Sequence, residues 1–119
     1  MENKETKTQT IVRKPLLDAS LNPAKNTTRV EVKQIDFAPG QKTGLHDHPC
    51  PVVGYIAKGS VLFQIENQEA KTLQAGDAFF EPAHTRILHF DNASSIEPMT
   101  FIAFYLLEES DPGLIRMLE

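Results

Sequence analysis

The stretch GQKTGLHDHPCPVVGYIAKG, residues 40–59, decides how this chain is read, and at its centre stands His46-Asp47-His48. In an extended strand, side chains at i and i+2 point to the same face. The two imidazoles therefore lie together while Asp47 turns away. Imidazole nitrogen suits Zn, Cu, Fe and Ni. Pro49-Cys50-Pro51 follows, and its two prolines fix φ and stiffen the chain leaving the histidine pair. Cys50 is a candidate thiolate ligand or redox centre, and equally a small loop residue.

Outward from this stretch the chain is a series of short apolar runs. Residues 29–33 alternate apolar and charged side chains, as a strand with one wet face does. The alternation then slips onto Ile35 and Phe37, which predicts a β-bulge near Lys33 or Gln34. Further runs lie at residues 52–57, 61–66, 70–73, 78–81, 86–90 and 100–107, punctuated by Gly, Pro, Asn and Asp. Many short strands at close spacing predict an all-β sandwich or barrel. Residues 100–107 are apolar without alternation, so both faces of that strand are expected to be covered. After Pro112-Gly113, apolar residues at 114, 115, 117 and 118 predict a short C-terminal helical turn.

Composition excludes several classes. The 119 residues suit one domain, taken as residues 11–119 behind a frayed polar end at residues 1–10. A formal net charge of −4 without a basic stripe argues against nucleic acid. No apolar run is long enough to cross a bilayer, and the polar start has no export signal. The single cysteine cannot form an internal disulfide, which fits a reducing compartment. The expected location is cytoplasmic.

Two spacings now come together. Five residues separate Gly40 from His46, and Gly59 closes the next strand. In GDAFFEPAHTRILHFDN, residues 76–92, five residues separate Gly76 from Pro82, and the run ends at Asp91-Asn92. The chain resembles the cupin family, which pairs G-x5-H-x-H-x3-4-E-x6-G with G-x5-P-x-G-x2-H-x3-N. The resemblance covers about residues 28–107. It implies a double-stranded β-helix, the cupin jelly-roll barrel, with a metal at its mouth, a small organic molecule as ligand or substrate, and a homodimer.

The departures fall at the chemistry. Val52 stands where the family has its glutamate, His84 where it has a glycine, and Ile87 where it has its second-motif histidine. Only His46 and His48 of the four usual ligands remain. If the last strand of that motif is regular, His89 shares a face with Ile87, about 7 Å further along. The expected metal site is therefore His46, His48 and His89, with His84 in the preceding loop as reserve. Cys50 and Glu81 are possible further ligands or pocket residues. Glu81 is either a proton acceptor in the mouth or a strand-end residue meeting solvent or Arg86. Three protein ligands with an open position mark a catalytic metal site. The cofactor implied is a divalent transition metal (Fe, Ni, Mn or Zn), and the function dioxygenase- or isomerase-like. The alternative is a non-catalytic small-molecule-binding or sensing cupin with a degenerate, metal-free site.

Overall fold

A computed structural model of the chain describes residues 10–118, so the end expected to be frayed lies outside the described residues apart from Thr10. Nine strands occur among the described residues: β1 (Arg29–Phe37), β2 (His46–Asp47), β3 (Val52–Lys58), β4 (Ser60–Ile65), β5 (Lys71–Gln74), β6 (Ala78–Glu81), β7 (Ile87–Asn92), β8 (Met99–Leu107) and β9 (Arg116–Met117). They form two antiparallel sheets, ordered β9-β2-β7-β4-β5 and β1-β8-β3-β6. This is the all-β jelly-roll architecture the sequence predicts. No helix of the described residues is long and apolar enough to cross a membrane.

The core lies between the sheets because each central strand presents every second residue to it. In β8 the inward set is Met99, Phe101, Ala103, Tyr105 and Leu107, all buried. In β4 it is Val61, Phe63 and Ile65. Phe63, Phe79, Phe90 and Phe101 meet in tilted and edge-to-face pairs with centroids 4.5–6.2 Å apart. Such geometry adds about 0.5–1.5 kcal/mol per pair beyond burial. The outward residues of β8, among them Ile102, Phe104 and Leu106, are only half-buried. The expectation that both faces of this strand are covered therefore holds for one face of the single chain.

Three local expectations are corrected. First, β1 pairs with β8 without interruption from Arg29↔Leu107 to Phe37↔Met99, so there is no bulge at Lys33 or Gln34. The slip in alternation arises because Val30 and Val32 sit half-exposed on the outer face. Second, a bulge does occur in β7. Gln64 faces His89 and Ile65 faces Ile87, leaving Leu88 as the extra residue. Third, no helix is present among the described residues, and the predicted C-terminal turn is a strand instead. Arg116 pairs with Asp47, Met117 pairs with His46, and the Leu118 N–H donates to the Leu45 carbonyl at 3.1 Å. Five residues are too few to repay helix nucleation, whereas the open edge of β2 offers backbone partners at once.

Residues 10–28 have no regular secondary structure and are tied down by Lys25. Its ammonium donates to both Asp111 carboxylate oxygens, at 3.0 and 2.8 Å, and to Glu108 Oε2 at 3.4 Å. The Lys25 hydrogen bond, with help from the Glu108 amide, holds the Asp111 carboxyl below its usual range. Unfolded chain takes up a proton at Asp111 before folded chain does, so this contribution is present above about pH 4 and is lost as pH falls further. Lys25→Ala is expected to cost about 1 kcal/mol at pH 7. Thermal melts of the two proteins at pH 7 and pH 3 check this, since the difference should shrink at the lower pH.

Candidate metal centre

His46 on β2 and His48 just beyond it are buried side by side, their rings edge-to-face with centroids 5.0 Å apart. Each ring is fixed by its Nδ1–H, that of His46 donating to the Gly44 carbonyl at 2.8 Å and that of His48 to the Leu114 carbonyl at 2.5 Å. Both bonds leave Nε2 turned toward the interior. Such second partners set the tautomer and orientation of metal-binding histidines. Glu81 reaches the same point from β6, with Oε1 2.8 Å from His48 Nε2. One ligand atom from each of His46, His48 and Glu81 lies within 4.8 Å of the other two.

Glu81 faces inward because β6 alternates, carrying Phe79 and Glu81 to the core while Ala78 and Phe80 point out. It does not meet Arg86, which pairs with Glu66 at 3.6 Å. Its register explains its place: Glu81 sits directly across from Val52. Cross-strand neighbours have Cβ atoms about 4.5–5.5 Å apart. A carboxylate at residue 81 thus comes to the region where the cupin pattern brings one from residue 52.

The electrostatics suit a cation. Burial pulls the His48 pKa down, but the Glu81 hydrogen bond and charge, with the Leu114 carbonyl, outweigh it and raise the imidazole above its ordinary value. Glu81 Oε2 is buried with no hydrogen-bond partner, alone in this among side-chain atoms of the described residues. A buried unpartnered carboxylate oxygen is costly, and a metal ion at this point would satisfy it. Two imidazoles and one carboxylate form a donor set that divalent transition metals accept.

The other sequence candidates lie elsewhere. The bulge at Leu88 breaks the parity between residues 87 and 89, so Ile87 is fully buried while His89 turns out, its side chain 42% exposed. There its Nδ1–H donates to Asp91 Oδ2 at 2.8 Å. His84, at φ +59°, is exposed in its loop and borders a surface cavity with Asp47 and Arg116. Its backbone N–H donates to the His48 carbonyl. Cys50 is fully buried, and burial pushes its thiol up to about 11, so it stays protonated and inert near neutral pH. Val52 and Ile87 have become core residues, 1% and 0% exposed.

Sequence reasoning missed the strap formed by residues 112–118. Ile115 lines the cavity beside the histidines, and Arg116 holds the strap down through two hydrogen bonds to Asp47, at 3.1 and 2.7 Å. That pairing keeps the Asp47 carboxyl below its usual range. The only signal was the apolar pattern of residues 114–118, which reads equally as helix.

A family model described as "Cupin domain" matches residues 33–105, more than half of the sequence. The chain is a cupin. It is 28% identical over 108 residues to oxalate oxidase GF-2.8 of Triticum aestivum, covering 83% of this cupin and 46% of that protein. It is 29% identical over 108 residues to germin-like protein 3-5 of Oryza sativa subsp. japonica, covering 83% and 45%. This cupin thus spans about half the length of the curated relatives it matches. Among solved structures, a cupin-like protein of Thermotoga maritima superposes with a TM-score of 0.61 at 24% identity, covering 75% of this chain and 64% of that one.

Proposed function

We propose that this cupin binds a divalent transition metal through His46, His48 and Glu81 and acts on a small organic molecule in the cavity beside them. The observation that carries this reading is the convergence of the three ligand atoms around a buried carboxylate oxygen with no other partner. The metal, when bound, would supply Lewis-acid polarisation of a substrate oxygen or a site for dioxygen. The chain's own residues do the rest. Gly44 and Leu114 hold the two imidazoles in the ligating tautomer, and Glu81 supplies the charge. The aromatic and aliphatic walls surround the ligand atoms with apolar surface, a low-dielectric setting that strengthens electrostatic interactions. Curated relatives named as oxalate oxidases support an enzyme working on a small organic molecule, and within that reading the dioxygenase- or isomerase-like type is our own expectation. The fold alone selects no reaction.

The same proposal places the chain in the cytoplasm, where the lone thiol of Cys50 stays reduced. It also pairs two copies through the outer face of the four-stranded sheet, where Val30 and Val32 are 50% and 56% exposed. Apolar patches of this kind mark association surfaces. Native mass spectrometry of protein purified without chelator tests both parts. The expected species is a dimer carrying about one transition metal per chain. A metal-free protein that takes up no added metal favours the sensing or binding cupin with a degenerate site, and a monomer at micromolar concentration removes the dimer.

A further inference from the structure

The cavity beside His46, His48 and Glu81 has a volume of about 110 Å³ and is walled by Ile35, Phe37, Phe101, Ala103 and Ile115. Besides the three ligating residues, the polar side chains on its wall are Thr43 and Tyr105, and no lysine or arginine lines it among the described residues. The Thr43 hydroxyl is committed to the Phe90 carbonyl at 2.6 Å. Tyr105 adds a phenol hydroxyl, a hydrogen-bonding group and not a cation. The chamber therefore offers one place for charge, at the ligand cluster, and apolar surface everywhere else.

Charge balance narrows the occupant further, on the reading that the cluster holds a divalent metal. Two neutral imidazoles and one carboxylate leave one unit of a divalent ion's charge uncompensated. A monoanionic oxygen donor balances it, and a neutral donor does not. A second anionic group further along the molecule would lie against phenylalanine and aliphatic side chains with no cation beside it, and burying an unpaired charge is strongly unfavourable. The volume of about 110 Å³ suits a short body lodged against the wall, an apolar cavity of ~150 Å³ being enough for a benzene ring. We infer that the site takes a small monoanion with an apolar body, of the short-chain monocarboxylate class, its anionic oxygen at the ligand cluster and its hydrocarbon part against Ile35, Phe101 and Ile115.

The test uses the full chain loaded with Co²⁺, with butyrate, succinate and butyramide as probes. Succinate replaces the terminal methyl of butyrate by a second carboxylate, and butyramide removes the negative charge at similar shape. The visible Co²⁺ absorption bands report ligation directly, without any assay of activity. Butyrate is expected to perturb the bands with a half-saturation at least about tenfold below that of either analogue. Succinate or butyramide matching butyrate overturns the inference, as does silence toward all three probes, and both results leave the metal reading intact. A protein that takes up no Co²⁺ overturns the metal reading and the inference with it.

Discussion

Glu81→Gln is expected to lower the affinity for Zn²⁺ by at least about a hundredfold while leaving the barrel folded. Loss of an outer-shell partner already costs 10–100-fold in metal affinity, and here a ligating charge is removed. Glutamine keeps the volume of glutamate and a side-chain oxygen facing His48 Nε2, so packing around Phe79 is preserved. The Glu81 oxygen that lacks a partner loses no hydrogen bond, and the one from His48 to the other oxygen becomes a neutral bond rather than disappearing. Competition titration against a chromophoric chelator measures the affinity, and a thermal melt of the metal-free protein checks the fold. Unchanged affinity in a folded Glu81→Gln protein would remove Glu81 from the site and leave only the two histidines.

The second large effect falls on Gly54, in the middle of β3 between β8 and β6. A Cβ built there would lie 2.0 Å from the Ile102 carbonyl oxygen and 2.7 and 2.8 Å from the Phe79 ring. The first neighbour is backbone in the central strand of the sheet, and the second belongs to the aromatic cluster, so neither can move cheaply. Gly54→Ala is expected to cost about 3 kcal/mol or more and to lower the Tm by on the order of 10 °C. Calorimetry decides the matter. A Tm within about 2 °C of the parent would show that the neighbouring strands of this sheet shift more easily here than their close packing implies.

The fold was legible because it is written in local signals. Strand-length apolar runs, the turns at Gly40, Gly59 and Gly76, and the i, i+2 histidine pair all act over a few residues. The site was legible only in part, because its completion is non-local. Glu81 reaches the histidines through a cross-strand register with Val52, which no linear motif records, so the sequence left it open between the barrel mouth and a strand end meeting solvent or Arg86. His89 was misplaced by the extra residue at Leu88, since one inserted residue reverses every later facing along a strand. The apolar residues at 114–118 fitted a helical turn as well as an edge strand. What chose between them was the unfilled edge of β2, which a sequence does not display.

The strap ties the site to the outer edge of its sheet. β9 has two residues at the outer edge of its sheet, and its one ion pair involves an Arg116 side chain that is 68% exposed. Segments of this kind open at a free energy far below that of global unfolding. Yet this segment contributes Ile115 to the cavity wall and the Leu114 carbonyl that orients His48. The cavity wall and the orientation of His48 thus depend on the same short edge, while the phenylalanine cluster is held by other strands.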